Sequence, residues 1–280
     1  MKYGFPFRLQ RVDQIEWNKP DYRQEKFEEA TMVIANFLDS LNSDIYTLTE
    51  VGSEEDVKFL QKLLKKKNKE YKYVAVADSQ DNATGQNVAI ISKYKLKDVV
   101  KEIPGREFYI SEEDDPEEIY DTGISKGMCA TIKVEAYEFI VYVLHFVSER
   151  GGQKEDKQRV AQASVARRHM LKFLQEDKKV IITGDLNDHR GQPTLQRIRG
   201  LDDIFEDFIQ TGSTKYFPEE KLDTRWTHKF RGEFKQIDHI LLSLSIKDIC
   251  KRSGIKAMTH IHRNPEVSDH NAFSVLLKLK

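Results

Sequence analysis

Val180–His189 reads VIITGDLNDH, a segment that changes character half-way along. Val180, Ile181, Ile182 and Thr183 form a short apolar and β-branched run of the kind that becomes a buried strand. Gly184 ends it. Asp185, Asn187 and Asp188 then follow, three short polar side chains at the mouth of a rigid element, where reacting groups can be held in place. Gly, Asp and Asn are also ordinary turn residues, so this stretch alone reads equally as an Asx-rich turn. What the other strand ends carry has to settle the matter.

The 280 residues, 39% of them hydrophobic, are enough for a substantial core. No internal repeat, Pro-rich linker or low-complexity segment divides them, so residues 1–280 are expected to form a single domain and, with no protein partner evident, a monomer. Lys and Arg number 45 against 46 Asp and Glu, a formal net charge of −1. That excludes a whole-molecule positive field but leaves room for a local basic patch. Cys129 and Cys250 lie in apolar, strand-like surroundings without CxxC spacing, which argues against a disulfide framework and a zinc site. No stretch approaches the roughly 18 consecutive apolar residues of a membrane span. Met1–Gln10 lacks the apolar core of a secretory signal. The compartment is expected to be the cytoplasm, or the exterior if a leader has been removed.

Along the chain, Phe7–Ile15 (FRLQRVDQI) is a poorly patterned opening strand, and Tyr22–Leu41 is a helix marked by Phe27, Ala30, Ile34, Phe37, Leu38 and Leu41, with Asp21 as its cap. Asp44–Val51 is a strand ending near Glu50. Ser53–Lys67 is a helix with a capping box formed by Ser53 and Asp56. Strands are expected at Tyr71–Ala77, Asn87–Ser92, Met128–Val134 and Phe139–Val147, with an exposed acidic insertion at Gly105–Ser125. A helix over Lys154–Gln175 leads into the Val180 strand. Short helical pieces at Thr194–Ile198 and Asp203–Phe208 follow, then strands at Lys235–Leu242, Arg252–Ile261 and Ala272–Leu279. Strands with interspersed helices make the chain α/β or α+β.

Glu50, His145, Asp185, Asn187, Asp238, Asp269 and His270 each fall at or near the end of an apolar strand. Convergence of such groups is how an active site is assembled. Carboxylates and amide oxygens without cysteine are hard ligands, suited to Mg²⁺, and also to Mn²⁺ or Ca²⁺, rather than zinc. A carboxylate-bound cation with two histidines suits hydrolysis of a phosphate ester: the cation neutralises charge on the phosphoryl oxygens while a His backed by an Asp moves the proton. Serine hydrolysis fits poorly, because the chain has no GxSxG elbow. His239 alternates away from Asp238 along its strand and reads as structural.

The ordered set LTE (Leu48–Glu50), LH (Leu144–His145), GDLN (Gly184–Asn187), IDHILLS (Ile237–Ser243) and SDH (Ser268–His270) resembles the endonuclease/exonuclease/phosphatase superfamily, the deoxyribonuclease-like metallohydrolases. The resemblance covers nearly the whole chain. It implies a four-layer α/β/β/α sandwich of two packed mixed sheets with helices outside and the site at one edge. It implies that Glu50 is the principal Mg²⁺ ligand, with Asp269 contributing. Asp185 would orient or deprotonate the attacking water, and Asn187 would hold the phosphate or a second metal. His270 would handle the proton, Asp238 would fix its tautomer, and His145 would contact the scissile phosphate.

Three positions depart from the family pattern. Where its first strand normally ends in a metal-binding Asn, this alignment places Asp13, which would add a negative charge to the site. Val143 replaces an Asn usual two residues before the first His. Lys126 stands where an Arg is common, keeping a cation but losing bidentate phosphate geometry. The QIDHILLS and RGG (Arg150–Gly152) segments resemble nuclease-like members, so the implied substrate is nucleic acid, with Lys126 and Arg150 as phosphate contacts. The alternatives are a small phosphorylated metabolite or lipid head group as substrate, or a binding module of the same fold that has lost its chemistry.

Overall fold

The computed structural model describes residues 20–67, 70–81, 84–111, 118–200, 208–210, 226–230, 233–246, 249, 258–277 and 279. Its larger sheet has six strands in the order β10 (Phe208–Gln210), β13 (Asp238–Ser243), β9 (Lys179–Asp185), β8 (Tyr137–Leu144), β7 (Gly127–Val134) and β4 (Leu96–Val100). All neighbours are antiparallel except β8 and β9, which run parallel and are joined by helix α3 (Gln153–Gln175). A parallel pair needs such a crossover, since a hairpin cannot return the chain in the same direction. The smaller sheet is antiparallel, in the order β1 (Ile45–Val51), β3 (Asn87–Ser92), β2 (Tyr73–Val76).

Alternation along these strands builds the layers. On β3, Ala89 and Ile91 face α1 (Pro20–Leu41) and α2 (Glu54–Lys67), packing with Ala35, Leu38, Leu60 and Leu64. Val88 and Ile90 point the other way, onto Met128, Ala130, Val141 and Val143 of the larger sheet. Tyr142 and Leu144 of that sheet turn outward again, onto Ala163, Ala166 and Met170 of α3 and onto Leu195 and Ile198 of α4 (Pro193–Arg199). The molecule is therefore an α/β/β/α sandwich. Each fully buried aliphatic side chain here contributes about 1.5–3 kcal/mol. The capping box of α2 forms as the sequence indicates: Ser53 N donates to Asp56 Oδ2 at 2.8 Å and Asp56 N to Ser53 Oγ at 3.3 Å.

Four details differ from the sequence expectations. β4, read as no element, pairs with β7. The flanks of the acidic insertion form a hairpin, β5 (Glu107–Ile110) with β6 (Ile119–Thr122), clasped by stacking of Tyr109 on Tyr120. Phe208, read as helical, begins β10, while most of the Asp203–Phe208 piece lies outside the described residues. The strand expected over Lys235–Leu242 is interrupted at Gln236–Ile237, because the Thr227 hydroxyl takes the backbone N–H groups of Ile237 and Asp238 that a continuous ladder would use. The Phe7–Ile15 strand lies outside the described residues.

Candidate active site

Ladder register places three site residues side by side. β8 and β9 match Val143 with Thr183, so His145 and Asp185, each two residues further on, emerge together. β9 and β13 match Asp185 directly with Asp238. His145 Nε2 lies 3.8 Å from Asp185 Oδ2. The strands meet this closely because position 184 is glycine: a Cβ there would overlap the carbonyl of Leu144, and the backbone holds φ +125°. Beyond it the chain is locked. Asp185 Oδ1 accepts from Asn187 N at 2.8 Å, Asn187 takes a left-handed φ of 50°, and its Nδ2 donates to the Phe146 carbonyl at 3.0 Å. His239, buried on the other face of β13, hydrogen-bonds through Nε2 to the Asp188 carbonyl at 2.8 Å, a structural role.

Opposite Asp185, His270 Nδ1 meets Asp238 Oδ2 at 2.8 Å. Burial alone would strip His270 of its proton, but the hydrogen bond and charge of Asp238, with Asp185 behind, raise its pKa to about 9. Burial likewise opposes charge on Asp238, yet the His270 contact holds its carboxyl below the ordinary range. Asp185 is pushed the other way: burial first, then the Asp238 charge, raise its proton affinity. His270 precedes β15 (Ala272–Leu276) of a hairpin with β14 (Met258–His262), and bridges to His228 of β11 (His228–Phe230). The His228 and His270 rings stack at 4.4 Å and 25°. Thr227 and His228 were not among the sequence-derived candidates. β11 has three residues and pairs with the equally short β12 (Glu233–Lys235), too little for a strand pattern to register.

Glu50 arrives from the smaller sheet. Between Leu48 and Val51, β1 advances three residues while β3 advances two, from Ala89 to Asn87. The resulting bulge puts Glu50 at φ 56° and leaves its side chain 46% exposed, with Oε1 4.0 Å from His145 Nε2. His145 itself is buried. That burial, followed by the charge of Lys126, lowers its pKa to about 3, so the ring is neutral. Its Nδ1 is buried without a hydrogen-bond partner among the described residues, and Val143, in place of the family's Asn, packs into the core between the sheets. The Lys126 carbonyl accepts from His145 N at 2.9 Å, and its ammonium lies 3.4 Å from Asp81. Asp269 sits at the rim, 69% exposed, 4.0 Å from His228 Nε2. Arg150 is exposed on the 3₁₀ turn Glu149–Gly151 after the His145 loop. The structure thus gathers Glu50, His145, Asp185, Asn187, Asp238 and His270, leaves Asp269 and Lys126 beside them, keeps Arg150 on an exposed turn, and does not describe Asp13.

The model of the Endonuclease/Exonuclease/phosphatase family matches residues 10–269. The chain belongs to this family. Among solved structures, truncated Caenorhabditis elegans TDP2 is 14% identical, with 89% of this chain and 90% of that one covered and a TM-score of 0.57. An endonuclease/exonuclease/phosphatase family protein from Leptotrichia buccalis is 16% identical over 91% and 95%, with a TM-score of 0.60. Beta toxin from Staphylococcus aureus, in a structure with bound magnesium ions, is 15% identical over 90% and 92%, with a TM-score of 0.56. These likenesses concern the fold. No curated protein matches the chain by sequence.

Family members are typically phosphoric-ester hydrolases, and the donor set here fits a divalent cation. Asp185, Asp238 and His270 present ligand atoms within 4.8 Å of one another. The Asp238–His270 hydrogen bond commits those two groups to each other. Asp185 and Glu50 remain as oxygen donors, and the Glu50 charge adds to the forces that raise the Asp185 pKa. A hard cation would relieve that repulsion.

Proposed function

We propose that this protein is a divalent-metal-dependent phosphodiesterase that hydrolyses nucleic acid by in-line attack of water. The observation that carries the reading is the meeting, at one end of two packed sheets, of a His–Asp pair, a second buried carboxylate and a neutral buried histidine, with an exposed carboxylate at the mouth. Glu50, helped by Asp269, would hold Mg²⁺ near Asp185, and the ion when bound would neutralise phosphoryl charge and acidify water.

The remaining roles belong to side chains of the protein. Asp185, with its raised proton affinity, suits the orientation and deprotonation of the attacking water. Asn187 locks that carboxylate in place and adds an amide beside the phosphate. With Nδ1 engaged by Asp238, His270 has Nε2 left to hand a proton to the leaving oxygen, and its raised pKa keeps it charged at neutral pH. Neutral His145 suits donation to a phosphoryl oxygen as negative charge develops there. The Lys126 charge reaches His145, and exposed Arg150, on the turn that follows, is proposed as a further contact for a polyanionic substrate.

The test is hydrolysis of plasmid DNA, RNA and bis-p-nitrophenyl phosphate in parallel, with Mg²⁺ and with EDTA. Nicking of DNA or cleavage of RNA is expected with Mg²⁺, complete loss with EDTA, and recovery when Mg²⁺ is restored. Cleavage of the small ester alone would reassign the substrate to a small phosphoester. Inactivity on all three would make the protein a binding module of this fold.

A further inference from the structure

Trp226–His228, the segment that enters β11, touches both sides of the His–Asp pair. From Thr227, the side-chain hydroxyl accepts the Asp238 backbone N–H at 3.1 Å, and the main-chain carbonyl accepts from Asn271 N at 2.6 Å. From Trp226, the carbonyl accepts Asn271 Nδ2 at 3.1 Å. The residues preceding His228 are thereby tied to the residue following His270. His228 and His270 form an isolated antiparallel bridge, and their rings lie nearly parallel with centroids 4.4 Å apart. His228 is buried, with its ring against this face.

An imidazole needs two constraints to present one nitrogen reliably: a hydrogen bond at the other nitrogen and something that fixes the ring plane. Asp238 supplies the first for His270. Ser268–Asn271 precedes β15 outside any strand, and His270 has only the isolated bridge to His228, so its side-chain torsions are not set by a sheet on either side. The flat face of His228 is the group placed to supply the second.

We propose that His228 is a positioning residue, whose stacked ring holds His270 in the plane where Nδ1 meets Asp238. The proposal rests on the assignment of His270 and Asp238 as the proton-handling pair. A flat, unsaturated ring is what the role requires, and an aromatic replacement should preserve it.

The test uses the full chain with His228→Ala, His228→Phe and His228→Gln. The downfield proton resonance of a histidine N–H shared with a carboxylate should be visible in the wild-type protein and in His228→Phe, and broadened away in His228→Ala and His228→Gln. This readout does not depend on turnover, so it stands even if the substrate assignment fails. In Mg²⁺-dependent hydrolysis, His228→Ala should lose about 10- to 100-fold in kcat with KM within about twofold, and His228→Phe should regain most of it. Thermal unfolding of each variant separates a misfolded protein from a misaligned one. Wild-type kcat and an intact downfield resonance in His228→Ala would overturn the proposal. So would His228→Phe being as impaired as His228→Ala, which would shift the role to the His228 nitrogens and Asp269.

Discussion

Asp238 and His270 are joined at 2.8 Å by a hydrogen bond that partial burial strengthens and also makes costly to break. Removing one partner leaves the other as an isolated half-buried polar group, so the two should behave as a unit. His270→Ala is expected to lower kcat/KM at least 10²-fold, Asp238→Asn by a comparable factor, and the double variant by little more than either single change. Steady-state kinetics of the three proteins measures this, and additive losses would mean that the residues act separately. Asp185 differs in kind. Among the described residues it has no cationic hydrogen-bond partner, its proton affinity is raised by burial and by Asp238, and Asp185→Asn should remove the base while leaving the loop geometry set by Asn187. The residue types were legible in sequence, because acids and histidines closing apolar runs are unusual enough to notice. Their partners were not, since the Asp238–His270 contact spans 32 positions of chain.

At the scale of elements, the site depends on two irregularities in otherwise regular strands. The bulge at Thr49–Glu50 turns one carboxylate out of its ladder toward the other sheet. Gly184 lets β8 and β9 approach to backbone contact just below His145 and Asp185. Gly184→Ala should therefore be among the most damaging single changes in the protein. It forces a side chain against the Leu144 carbonyl and a non-glycine residue to φ +125°, at a cost of several kcal/mol. Urea unfolding is the measurement, and a loss under about 1 kcal/mol would show that the backbones can part without penalty. Gly184 was visible as the end of the Val180 run, but whether it ended a strand or allowed two strands to touch depended on register. The same limit applied to β11 and β12, whose three-residue strands have no periodicity to detect and whose importance comes from the groups they brace.

For the whole molecule, the buried histidines link folding to pH. His239 is buried in the strand that carries Asp238, and burial lowers its pKa from 6.5 to about 4 against the smaller opposing effects of the Asp188 carbonyl and nearby acids. Below 6.5 the unfolded chain takes up a proton that the folded protein refuses until about pH 4, so stability rises with pH between those values and falls on acidification. The loss from this group between pH 7 and pH 4.5 should be about 2 kcal/mol. His145, neutral for the same reason, adds in the same direction. Urea titrations over this range should show the slope, and His239→Gln should reduce it; an unchanged slope would mean that His239 is not the group being charged.

The sequence by itself determined an α/β or α+β chain, through apolar strand runs with helices between them, while the four-layer scheme came only through its resemblance to the family. It also determined the identity of the acids and histidines that end those runs, and the α2 cap, because each is settled within a few residues of chain. Only the tertiary structure decided that His145, Asp185 and Asp238 share one register, that Glu50 is thrown toward them by a bulge, and that His228 lies flat on His270. Those facts depend on hydrogen-bonding between strands far apart in the chain. A period of two says which face a residue takes, and leaves open which residue of another strand it will meet.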